Sequence, residues 1–158
     1  MSLSVSRLLA VMLIGALAAA GSARADMITG QAATVRFLSN MFGHLDWRGR
    51  GDTSLQHVFC VESATGRFVL DVSSSAGGLN GEAVIPYEVT VEMNGRSHTG
   101  VISPATPVMS IQGETPRDNN CQAPSQVGIL TVRLLQKDVM GAVSGSYADQ
   151  LSVSVASN

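Results

Sequence analysis

The chain ends in GSYADQLSVSVASN, residues 145–158, and the alternation in that stretch decides the fold. An extended strand turns successive side chains to opposite faces. Tyr147, Leu151, Val153 and Val155 therefore share one face, and Gln150, Ser152 and Ser154 share the other. Apolar residues on one side and small polar ones on the other mark a half-buried strand. Such a strand needs neighbours on both edges, and the question is whether this chain supplies them or another protein does.

Upstream, no stretch after residue 25 holds a helical period, while short β-rich runs recur. TVRFLS (Thr34–Ser39), HVFCVES (His57–Ser63), RFVLDVS (Arg67–Ser73), AVIPYEVTVEM (Ala83–Met93), PVMSI (Pro107–Ile111) and VGILTVRLL (Val127–Leu135) join the terminal run as candidate strands. Between them SATG, SSAGGLNGE, NGRSHTG and GETPRDNN are rich in the residues of tight turns. Short strands at such spacing predict an all-β sandwich in a single domain, residues 26–158. Phe68, Leu70 and Val72 share a face, as do Val89, Val91 and Met93, and Ile129, Thr131, Arg133 and Leu135 oppose Leu130, Val132 and Leu134. Pro86 lacks a ladder donor, so the segment before it is expected at an edge or a bend. FGHLDWRGRGD, around the single tryptophan Trp47, is too irregular for a strand, and Leu134 to Val139 could coil briefly.

The first 25 residues hold Arg7, an apolar run from Leu8 to Ala20 and the small-residue triplet Ala23-Arg24-Ala25. This predicts a secretory signal peptide cleaved before Asp26. The run is shorter than the roughly 18 to 20 residues that cross a bilayer, so no membrane insertion is expected after cleavage. Loss of Arg7 and Arg24 leaves eight basic against twelve acidic residues, a formal charge of −4. Nucleic-acid binding needs clustered Lys and Arg and is not expected. Cys60 and Cys121 form an even pair in an exported chain, which predicts one disulfide. They lack the Cys-x-x-Cys spacing of a redox or metal pair.

Residues able to do chemistry are scattered. His44, His57 and His98 stand singly, and no metal or cofactor is expected. Asp46 and Asp52 flank Trp47 and Arg48 in a glycine-rich loop, where carboxylates are usually solvated, although acids from separate strands can be assembled in a sandwich. His44, Asp46 and Asp52 near Trp47 would be the place to look for a pocket. No Gly-x-Ser-x-Gly elbow presents a serine, and SSSAGGLNGE has no strand-loop-helix context for a phosphate. Arg50-Gly51-Asp52 spells a cell-adhesion tripeptide short enough to arise by chance. Tyr147, at the entrance to a late strand, suits a hydrogen bond back across a sandwich corner. No catalytic residues are assigned, and the chain is not expected to be an enzyme.

The closing Gly-x-Tyr-x-Asp-x-Leu-x-Val-x-Val (Gly145, Tyr147, Asp149, Leu151, Val153, Val155) resembles the tail of bacterial chaperone-usher pilus subunits, nearest to the spore-coat-U and Csu-type or α-type fimbrial proteins. The preceding NNCQAPSQVGILTVRLLQKDVMGAVSGSY strengthens the resemblance, which covers mainly Cys121 to Val155. It implies an immunoglobulin-like Greek-key β-sandwich lacking its final strand. A periplasmic chaperone would fill the gap first, and the extension of a neighbouring pilin subunit would replace it at an outer-membrane usher. Val35, Phe37, Leu151, Val153 and Val155 would line that donor-strand groove. The implied location is the periplasm in transit, then a surface fimbria. The alternative is a self-complete exported sandwich that binds a protein or glycan partner.

Overall fold

In the computed structural model the chain is described over residues 33–40, 43–117 and 120–158. The expected signal peptide lies outside them. Among the described residues the strands are β1 (Ala33–Phe37), β2 (Thr53–Ser63), β3 (Arg67–Ser74), β4 (Leu79–Asn80), β5 (Val84–Ile85), β6 (Tyr87–Met93), β7 (Arg96–Ile102), β8 (Val108–Glu114), β9 (Val127–Leu134) and β10 (Leu151–Ser157). One helical turn, α1 (Gln136–Val139), follows β9 where a brief coil was expected. All pairing is antiparallel: a five-stranded sheet in the order β1-β2-β9-β6-β7, a three-stranded sheet β10-β3-β8, and the small β4-β5 ribbon. The protein is an all-β sandwich.

Alternation places the core between the sheets. Phe59 and Val61 of β2, Leu130, Val132 and Leu134 of β9, and Val89 and Val91 of β6 face Phe68, Leu70 and Val72 of β3, Ile111 of β8 and Leu151 of β10. On β9 the buried face is the one carrying Leu130, Val132 and Leu134, while Arg133 turns outward to Glu88 and Asp52. Cys60 points the other way from Phe59 and Val61, and its disulfide to Cys121, with Cα atoms 5.9 Å apart, ties the 120–126 segment over the outer face of the larger sheet. Closing a loop of this length stabilises a fold by about 4 kcal/mol on the chain-entropy view.

Several boundaries differ from the expectations. β2 starts at Thr53, four residues before His57, because Leu55 still turns inward while Gln56 reaches Thr131 on β9. Pro86 divides Ala83–Met93 into β5 and β6 instead of one strand. β8 runs on to Glu114, paired with Arg67. NGRSHTG is not a loop: Asn94 (φ 51°) and Gly95 (φ 70°) form a two-residue turn with both φ positive, and β7 follows directly. This Asn-Gly pair is the favoured hairpin turn chemistry. β7 escaped notice because it is an edge strand exposed on both faces over most of its length, so it carries no apolar alternation to read.

Candidate functional site: the open side between the first and last strands

β10 has one strand neighbour among the described residues, β3, and β1 has one, β2. The two edges lie beside each other on the same side of the sandwich. Their hydrogen-bond phase shows what each presents. Ser75 N–H donates to Gln150 O and Asn158 N–H to Arg67 O, so even-numbered positions of the terminal strand bond toward β3. Leu151, Val153 and Val155 then turn N–H and C=O groups to the open edge. Leu38 N–H donates to Val58 O, which by the same alternation turns Val35 and Phe37 outward from β1. The side chains of these same residues point into the sandwich.

Leu151 is buried at 2% exposure, at the end of the strand nearest the core. Val35, Phe37, Val153 and Val155 are only half-buried and pack against the core from its rim. Phe37 meets His57 edge-on at 6.1 Å and Phe59 at 6.2 Å between ring centroids. The result is an apolar rim shared by two closely apposed sheet edges whose outward backbone groups have no strand partner among the described residues, the kind of edge that strand addition uses.

The residues ahead of β10 act as its anchor. The Tyr147 hydroxyl donates to Val143 O at 2.9 Å, across the corner four residues upstream. Its ring lies over Gly81, where a Cβ would come 2.6 Å from the ring, so only glycine allows this close approach. Ala148 exchanges two backbone bonds with Asn80. Asp149 is buried and accepts from Ser74 Oγ (2.6 Å), Tyr87 Oη (2.6 Å), Ser75 Oγ (3.2 Å) and the backbone N–H of Gln150 (2.8 Å). Burial first, then the hydrogen bond to the Asp149 carboxylate, pushes the Tyr87 hydroxyl pKa far upward. The motif residues Gly145, Tyr147 and Asp149 thus lie together at the strand entrance, with Tyr147 and Asp149 holding β10 in place and Gly145 in the exposed turn. Ser74 and Tyr87 were not picked out in the sequence; the available signal was one acid set inside an apolar alternation.

The other candidates are dispersed. His44 and Asp46 make an exposed pair at 2.8 Å, while Trp47 is buried and donates to Gly51 O. Asp52 faces away from them, bonded to the backbone N–H of Gln136 and to Arg133, and these two contacts, in that order, lower its pKa. The carboxylate of the Arg50-Gly51-Asp52 tripeptide is therefore engaged within the fold. His57 is buried, with Nδ1 donating to Asn40 O, and His98 is exposed on β7. Glu62 lies near the sulfurs of Cys60 and Cys121, but the disulfide leaves no thiolate to ligate a metal. Comparison with family models, with curated proteins and with solved structures finds no match to the chain.

Proposed function

We propose that this protein is a structural or adhesive subunit of a bacterial surface fimbria, assembled by donor-strand addition and without catalytic chemistry of its own. In this reading the sandwich is an immunoglobulin-like Greek key that lacks its final strand. A periplasmic chaperone occupies the open side during export, and the terminal extension of a neighbouring subunit replaces it at an outer-membrane usher. The observation that supports the reading is the matched pair of open edges, β1 and β10, with Val35, Phe37, Val153 and Val155 half-buried between them.

The energetics agree in scale. Completing the burial of four side chains already half covered gains about 1 kcal/mol each, roughly 4 kcal/mol in all. The N–H and C=O groups of Leu151, Val153 and Val155 add main-chain bonds at about 1 kcal/mol apiece. A segment with apolar residues at alternate positions matches both terms.

The test uses the full chain exported to an oxidising compartment, alone and with an alternating apolar peptide or a coexpressed pilus chaperone. Oligomeric state and thermal unfolding are followed. The expected outcome is a low-melting, self-associating protein that the added strand converts to a stable one-to-one complex. A cooperative monomer that melts identically with and without the peptide and the chaperone would overturn the proposal.

A further inference from the structure

Asn-Gly occurs twice in the chain, at Asn80-Gly81 and at Asn94-Gly95. Glycine has no side chain to shield its main-chain nitrogen, which therefore lies open to the amide carbon of the asparagine before it. Both asparagines are exposed, so exposure does not tell the two steps apart. Their backbone surroundings do.

Asn80-Gly81 is pinned. Asn80 N–H donates to Ala148 O at 2.8 Å, Ala148 N–H donates back to Asn80 O at 3.0 Å, and Gly81 N–H donates to Ala83 O at 3.2 Å. The Tyr147 ring covers Gly81 so closely that a Cβ there would come 2.6 Å from it. Asn94-Gly95 is instead the tip of the β6–β7 hairpin, closed by the facing residues Met93 and Arg96. In a two-residue turn the ladder bonds belong to the closing pair, and the central N–H groups lie outside it. Among the described residues neither the Asn94 side chain nor the Gly95 N–H has a hydrogen-bond partner, and a Cβ on Gly95 would meet nothing within 4 Å.

From this contrast we infer that Asn94 is a site of spontaneous deamidation in the folded protein, whereas Asn80 is protected. The Gly95 nitrogen gives its proton to solvent base and attacks Asn94 Cγ; the new C–N bond forms as the Cγ–Nδ2 bond breaks, and ammonia leaves. Water then opens the cyclic imide at either carbonyl, giving aspartate or isoaspartate with no oxidant or reductant. Either product adds one negative charge to the turn. Aspartate keeps the turn, because Asp-Gly has the same hairpin preference. Isoaspartate routes the main chain through the side-chain carbons, lengthens it and shifts the register that starts at Met93 and Arg96. β6 is the one strand neighbour of β7 among the described residues, so no second ladder keeps β7 in place. The site lies on the far edge of the larger sheet from β1, and the inference does not rest on strand addition.

The experiment incubates the full chain, disulfide intact, in mildly alkaline buffer and follows both steps by proteolysis and mass spectrometry, with aspartyl and isoaspartyl peptides separated. A backbone bond that must open first slows a reaction about fivefold, so the three at Asn80-Gly81 should make Asn80 react about a hundredfold more slowly than Asn94. In the reduced, urea-unfolded chain the two steps should convert at similar rates. Hydrogen exchange of the aged isoaspartyl fraction should show the β7 amides less protected than in fresh protein or in Asn94→Asp, with β2 and β9 unchanged. Asn80 reacting as fast as Asn94 in the folded chain, Asn94 reacting only once the chain is unfolded, or equal β7 protection in isoaspartyl and fresh protein would each overturn the inference.

Discussion

Replacing Asp149 with alanine tests whether the anchor ahead of β10 holds the terminal strand. The carboxylate is the acceptor for Ser74 Oγ and Tyr87 Oη, both at 2.6 Å, and those residues are 8% and 1% exposed. Truncation orphans two buried hydroxyl donors, each costing about 1–3 kcal/mol, whereas the Ser75 hydroxyl, on an exposed residue, turns to water at little cost. The expected loss is therefore about 4 kcal/mol, a large share of the roughly 5–15 kcal/mol typical of a domain. Urea unfolding followed by the fluorescence of Trp47, which is buried at 3% exposure, measures it directly. Tyr87→Phe sharpens the test. In the wild type it removes a satisfied bond and destabilises, but in the Asp149→Ala background it removes an orphan and restores about 1–2 kcal/mol. A loss below about 1 kcal/mol for Asp149→Ala, or equal destabilisation by Tyr87→Phe in both backgrounds, would refute the reasoning.

Other expected outcomes follow from the same geometry. The folded-state pKa of Tyr87 is raised above its ordinary value of 10.0, so the folded form holds its proton longer than the unfolded form. Stability is fully present below pH 10 and falls as pH rises beyond it, by about 1.4 kcal/mol per pH unit, and Tyr87→Phe should flatten that slope in urea titrations. Reducing the Cys60–Cys121 bridge should cost about 4 kcal/mol, measured as a lower urea midpoint under dithiothreitol; an unchanged midpoint with both thiols free would contradict it. Val153→Asp places a charge on the half-buried rim and should abolish capture of an alternating apolar peptide in pull-down assays, while near-ultraviolet circular dichroism shows the fold retained. Gly81→Ala forces a Cβ to within 2.6 Å of the Tyr147 ring and should lower the thermal midpoint by several degrees; no shift would mean that the ring moves freely.

The sequence by itself determined the class of fold, because period-two alternation in segments such as Phe68-Leu70-Val72 and Leu151-Val153-Val155 can bury an apolar face only as strands. It also carried the disulfide, since an even pair of cysteines in a chain read as exported has one simple fate. It did not reveal β7, whose edge position removes the burial that writes a pattern into residues, and at Pro86 it showed an interruption but not the short separate strand β5 that precedes it. Nor could it show that Asp149 meets Ser74 and Tyr87, which lie 75 and 62 positions away. The open side was legible as a set of apolar residues but not as two edges lying side by side. Alternation gives each strand its two faces, whereas the partner on each edge depends on which distant strands fold alongside it. Only the tertiary structure decided that β1 and β10 end the two sheets on the same side, with no described strand between them.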